Sequence, residues 1–443
     1  MSIHFSFTAQ TRRKEPLLQA VHTLADRDGY SVQESNGGLW VDFCPMGGIS
    51  INWEHEGGIM GQWNISGECY STPAGAGFHK AAVDFVEALG NGPLKGLAVA
   101  DETDYYNHRD FERLREEHFY AWLKMLVNVC RERQDSGEYS NLCLCWDLDQ
   151  YQPEDIPETV VTPMGRFHIS SMVKAVQSLG IGWLADRFFL WNQPEQDAVY
   201  YRNCALNLMW EKCCFAPSAR SEQDALCNRT ILDQLERAIR MDPRLPVPAG
   251  DYRLLCSLDG REPVIPDDTQ EMENQYPVGY RRGHVTYSYG VLRLTLPGSY
   301  LYEQEEGENG RSCDLWWDGE AGSPEWRING YRLREGEAVL DGGFEGMKDL
   351  EDLDMKYGRA RWGWKELDGD GGGERCEAGA TCDAGEPCIQ VFCKAVSGPS
   401  LFLITVTCTG EEQRFGSYEL LRKLKVVKDQ EIVQQTENYE EKK

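Results

Sequence analysis

The chain has 443 residues, enough for two to four ordinary domains, since a single hydrophobic core stops growing at roughly 250–300 residues. Apolar residues make up 41% and aromatics 11%, with 13 Trp and 20 Tyr, so there is material for buried cores and global disorder is excluded. Against 45 Lys and Arg stand 72 Asp and Glu, a formal net charge of -27. A field of that sign repels phosphate backbones and anionic headgroups, which argues against nucleic-acid or membrane partners and favours a basic protein partner.

No apolar run reaches about 18 residues, so no transmembrane helix is expected. The first residues, Met1 to Thr8, read as a strand, and Arg12, Arg13 and Lys14 follow it. A signal peptide has the opposite order. Sixteen cysteines without an export signal point to reduced thiols in the cytoplasm. Cys130, Cys204, Cys256 and Cys408 lie in apolar stretches, where a thiol behaves as a small hydrophobe. No cofactor is expected.

The patterning predicts an α+β chain. Residues 1–150 read as a mixed α/β domain. A first strand leads into a helix at Leu17 to Ala25, and short strands follow at Leu39 to Cys44, Ile49 to Trp53 and Gln62 to Ile65, separated by glycine turns. Phe78, Ala82, Phe85, Val86 and Leu89 share one helical face. The strongest helical signal runs from Phe111 to Arg131, with Phe111, Leu114, His118, Trp122, Met125, Leu126 and Val129 on one stripe. Leu142 to Trp146 reads as a buried strand, and 150–163, rich in Pro and Glu, as a linker or domain boundary.

Residues 151–249 form a helical segment that can pack on the N-terminal domain as one unit. Val199 to Phe215 is apolar nearly all round and is expected to be its most buried helix. Ser221 and Asp224 cap the helix that ends at Asp242-Pro243. A helix pair closing on Ala238-Ile-Arg-Met-Asp-Pro243 resembles a single tetratricopeptide-type unit, a motif that needs stacked neighbours to bury its faces.

From 250 to 427 the period changes to two, as in Val285, Tyr287 and Tyr289 followed by Leu292, Leu294 and Leu296. Further strands are expected at Leu315 to Trp317, Trp326 to Tyr331, Ile389 to Phe392 and Leu401 to Thr407, and a helix at Ser417 to Leu424. The stretch Arg293 to Tyr300, with the late strand and terminal helix, resembles the Mog1/PsbP-like α+β fold, which implies a binding scaffold and no particular chemistry. Residues 428–443 are polar and expected to be a disordered tail.

Five constellations bear on chemistry. Asp147 and Asp149 end a candidate strand, and two carboxylates one residue apart can share a divalent metal for phosphoryl or nucleotidyl transfer. Their surroundings depart from both the haloacid dehalogenase-like and the nucleotidyltransferase patterns. Asp101, Asp104, His108, Glu117 and His118 mix the ligand types that suit zinc, iron or acid–base work, although His118 on an apolar stripe also fits a hydrogen-bonded core residue. Cys376, Cys382, Cys388 and Cys393 can close a tetrahedral zinc site but lack a Cys-x-x-Cys knuckle. Asp368, Asp370 and Glu374 alternate with glycines, yet an EF-hand fails where Gly379 replaces the bidentate Glu. Gly75 and Gly77 open a helix, where bare amides can approach a phosphate or simply make a turn.

Trp316, Trp317, Trp326, Trp362 and Trp364 are expected in a β core in preference to an exposed partner face. The favoured reading is a non-enzymatic binding protein, of the immunity or adaptor type in bacteria. The competing one is a metal-dependent enzyme built on Asp147 and Asp149 or on the Asp101–His118 cluster.

Overall fold

Phe5, Phe7 and Ala9 alternate with polar residues along β1 (His4–Thr11), so one face of this strand is buried. In the computed structural model, which describes residues 2–56, 61–136, 142–143, 151–152, 156–273, 276–306, 312–318, 323–334, 336–367 and 388–427, β1 lies inside a six-stranded antiparallel sheet. Its other members are β2 (Ser31–Glu34), β3 (Gly38–Cys44), β4 (Gly47–Glu56), β5 (Gln62–Tyr70) and β6 (Lys95–Asp101). The strand order is β2-β3-β4-β5-β1-β6. Leu39, Val41, Phe43, Ile49, Ile51 and Ile65 add to the buried apolar set.

Two helices complete this core, α1 (Lys14–Asp28) with Leu17, Val21 and Ala25, and α2 (Ala76–Gly90) with Phe78, Ala82, Phe85, Val86 and Leu89. Phe43 meets Phe78 and Phe85 edge-on, with ring centroids 5.5 and 5.4 Å apart. Each fully buried Phe or Leu here contributes about 1.5–3 kcal/mol.

The helical run after β6 departs from its expected face. It comprises α3 (Tyr105–His108), α4 (Phe111–Leu114), a π-helical turn at Arg115–Phe119 and α5 (Tyr120–Ser136). A π turn inserts one residue into the helical repeat, so every side chain beyond it advances by one position. The buried set becomes Phe119, Leu123, Leu126, Val127 and Cys130, while Met125 and Val129 of the expected stripe are 39% and 38% exposed.

Segment 150–163, read as a linker or domain boundary, carries short strands, and a boundary between two units of the chain also falls within it. After β7 (Leu142–Cys143) and β8 (Tyr151–Gln152) comes β9 (Thr159–Thr162), buried throughout and paired with β10 (Gly165–His168). β7 joins β9 in parallel, giving a three-stranded sheet in the order β10-β9-β7. The chain then becomes helical through α6 (Ile169–Leu179), α7 (Ile181–Phe188), α8 (Ala198–Glu211), α9 (Glu222–Met241) and α10 (Ala249–Asp259). As its composition predicts, α8 is buried on nearly every side. It also buries Arg202, Asn203 and Asn207, which periodicity does not anticipate. The Ser221 hydroxyl accepts the amide of Asp224 at 3.0 Å and so caps α9.

The chain divides into two units: Met1–Trp146, Asp155–Cys213 and Ala225–Gly279 in one, Asp147–Glu154, Cys214–Asp224 and Tyr280–Lys443 in the other. In the second unit β11 (His284–Tyr289) and β12 (Leu292–Pro297) form an antiparallel hairpin. A seven-stranded antiparallel sheet is built from β13 (Leu301–Glu306), β14 (Ser312–Trp317), β15 (Glu325–Arg332), β16 (Lys348–Met355), β17 (Gly358–Leu367), β18 (Cys388–Ser397) and β19 (Ser400–Cys408). Its order is β13-β14-β15-β19-β18-β17-β16. Helix α11 (Glu411–Leu421) follows, and β20 (Lys425–Val426) pairs with β12. Trp316, Trp326 and Trp362 are fully buried and Trp364 is 7% exposed, whereas Trp317 is half-buried, so four of these five tryptophans are core. The whole is a mixed α+β chain.

Candidate functional site

Of the candidates in the first unit, Asp101 alone acquires a buried, charged role. It ends β6, and its neighbour across the core is His79 on α2. His79 is wholly buried, with Nδ1 3.0 Å from Ser71 Oγ and Nε2 3.3 Å from Asp101 Oδ1. Asp101 Oδ1 also accepts the amide and hydroxyl of Thr103, both at 2.8 Å, and Oδ2 accepts the amide of Tyr106 at 2.9 Å. Burial would raise this carboxyl, but the hydrogen bond and charge of His79 and the two amides outweigh it and hold Asp101 well below the usual carboxylate range. Phe5, Tyr105 and Phe119 close around the imidazole, with ring centroids 5.4 to 6.2 Å away.

Serine, histidine and aspartate in one chain of contacts suggest a nucleophilic triad. Here Ser71 is as buried as His79, and an attacking oxygen must reach its substrate. The set therefore works as an internal tie between β5, α2 and β6. His79 was hidden in the sequence because it falls on the apolar face of α2. A lone polar residue on such a face was the available signal.

The remaining candidates have other partners. Asp104 accepts the Asn107 side chain at 2.6 Å, and His108 Nδ1 accepts the amide of Asp110 at 2.9 Å. Glu117 pairs with Arg113 at 2.9 Å. His118 lies on the π turn, half-buried, and burial lowers its pKa; the hydrogen-bonded core histidine of this region is His79. Among the described residues no group of three or more His, Cys, Asp or Glu side chains has the geometry of a metal site. Asp147, Asp149, Cys376, Cys382, Asp368, Asp370 and Glu374 lie outside the described residues. Cys388 is disulfide-bonded, and Cys393 is a fully buried thiol whose pKa burial drives upward.

Gly75 and Gly77 serve packing. Gly77 N donates to the Trp191 carbonyl at 2.9 Å, and a Cβ on Gly77 would sit 2.1 Å from both the Gln193 carbonyl and the Trp191 ring. The start of α2 is thus covered by the chain around Trp191, which occupies the place a phosphate would need.

A cavity of about 280 Å³ opens in the same unit, its lining including Arg166, Phe167, Met172, Trp183, Arg187 and Tyr276. β10, α6 and α7 supply most of these residues. The Arg187 guanidinium lies 4.6 Å from the centre of the Trp183 ring and donates to the Trp183 carbonyl at 3.3 Å. On α8, Arg202 is 3% exposed and donates to the Asn203 side chain at 3.0 and 3.1 Å and to the Asp186 carbonyl at 2.8 Å. All these acceptors are neutral. Burial, and secondarily the charge of Arg187, pull Arg202 down to about 10.

No family model and no curated protein matches the chain. A solved structure from Bacteroides thetaiotaomicron VPI-5482 is similar at 11% identity over 31% of this chain and 46% of that one, with a TM-score of 0.21. The chain thus spans less than half of that protein, and a likeness so slight carries no argument about fold or function.

Proposed function

We propose that this chain is an acidic, non-enzymatic binding protein whose partner is a basic protein, in the manner of a bacterial immunity or adaptor protein. The observation that carries the proposal is the net charge of -27. Its distribution strengthens the case. Among the described residues the buried carboxylates Asp101, Asp224, Glu236 and Asp259 are roughly matched by the buried guanidiniums of Arg166, Arg202, Arg220, Arg327 and Arg414. The acidic surplus is therefore carried by the exterior. Such a surface accelerates encounter with a cationic partner and disfavours anionic ones. The buried Ser71–His79–Asp101 set, spent on internal hydrogen bonds, fits a scaffold better than a catalyst.

The test is to recover interacting proteins on immobilised full-length chain, identify them, and titrate each purified partner across about 0.05 to 0.5 M salt. The proposal expects a partner of basic isoelectric point whose association rate falls steeply with salt. A partner set that is acidic, or binding indifferent to salt, sinks it.

A further inference from the structure

The arginines around the cavity of the first unit stand out in a chain so rich in carboxylates. Neither Arg187, which lines the cavity, nor Arg202, which does not, has a carboxylate within 4.0 Å among the described residues. Asp186 precedes Arg187 in the chain and its charge is felt by both, as that of Asp197 is by Arg202, but neither carboxylate makes an ion pair with these arginines. Burial lowers the pKa of Arg187 as well. Arg187 is half-buried; a partly desolvated guanidinium without a close counter-ion is destabilising, and an anion delivered from solution offsets that. Most of the remaining wall is apolar or aromatic, with Phe167, Met172, Ala175, Trp183 and Tyr276. Glu273 is a carboxylate on the lining, and it is solvent-exposed, so water screens its charge.

We propose that this cavity is a binding site for a small amphipathic anion, with Arg187 holding a carboxylate or phosphate head and Trp183, Phe167 and Met172 packing against a compact apolar body. A volume of about 280 Å³ lies at the small end of ordinary ligand pockets, which suits a single aromatic ring with a short acidic side chain. Most binding pockets combine an apolar wall with a few polar groups that fix orientation in this way. The site is separate from the acidic exterior that the basic partner would engage, and it stands or falls independently of that reading.

The experiment is calorimetric titration of the full chain with phenylpropionate, phenyl phosphate and the neutral phenylpropionamide. One of the two anions is expected to bind saturably and at least about tenfold more tightly than the amide, the difference a charged hydrogen bond makes. Which anion wins identifies the head group. Arg187→Met should weaken the anion about tenfold or more and leave the amide unchanged. Should that variant fail to fold, Ala175→Leu narrows the cavity without touching charge, and it should abolish binding of the preferred anion. The proposal is overturned if the amide binds as tightly as both anions, if no probe binds at millimolar concentration, or if Ala175→Leu retains full affinity.

Discussion

Replacing Asp101 by Asn keeps the size of the side chain and removes its charge, which makes it a clean probe of the buried tie around His79. Four donors converge on the carboxylate: the Thr103 amide and hydroxyl and His79 Nε2 on one oxygen, and the Tyr106 amide on the other. The asparagine oxygen can serve the first group, which leaves its NH2 facing the Tyr106 amide, donor against donor. Orphaning that buried amide costs about 1–3 kcal/mol, and the other bonds lose their charge assistance, about 1 kcal/mol more. The expected total is roughly 2–4 kcal/mol. Because the chain has two units, one global melting curve mixes their transitions. Amide hydrogen exchange in α2 and β6 reads the perturbed region directly. Protection there should fall by roughly 30- to 1,000-fold, at tenfold per 1.4 kcal/mol. The pH dependence supplies a second check. The folded pKa of Asp101 lies below its ordinary value of 3.8, so its contribution is complete above that value and is lost as pH falls through the folded pKa. The gap between wild type and variant should be constant near neutrality and narrow only below about pH 4. A gap under about tenfold, or one that does not narrow in acid, would refute the account of this network.

Two further predictions concern packing and a buried pair. Gly77→Ala, a change that favours a helix in isolation, should here destabilise by about 1–3 kcal/mol, because the new methyl meets the Gln193 carbonyl and the Trp191 ring; thermal unfolding showing a neutral or stabilised variant contradicts this. Arg220 grips Asp224 through two bonds of 2.8 and 3.0 Å and also holds the Ser299 carbonyl at 2.9 Å. Asp224→Ala leaves that guanidinium only the partly exposed Asp318 carboxylate, 3.4 Å away, as counter-ion and should cost about 2–4 kcal/mol in urea unfolding, while the paired change Arg220→Met with Asp224→Leu should cost much less. Equal costs for the two proteins would show that the charge pair is not what matters there.

What could be read in the linear chain was whatever depends on local period. The alternation in β1, β11 and β12, the apolar face of α2 and the all-round burial of α8 follow from side-chain geometry that every strand and helix shares. So did the α+β class and the burial of Trp316, Trp326, Trp362 and Trp364. β16 and β17 went unread for different reasons. β16 is acidic and exposed at a sheet edge, so it lacks an alternating core face, whereas Ala360, Trp362 and Trp364 on β17 do alternate and offered the signal.

Composition alone determined the acidic charge and the supply of core residues, and period determined the class of the fold. Tertiary structure decided where the chemistry sits. The π turn at Arg115–Phe119 shifted the buried face of α5 by one residue, and no sum of propensities marks such an insertion. His79 and Asp101 are 22 residues apart and meet only because α2 crosses the sheet beside β6. Arg166 and Arg187 line one cavity for the same reason, each carried by a different element. Period reports which way a side chain faces; only the packed chain reports what it faces.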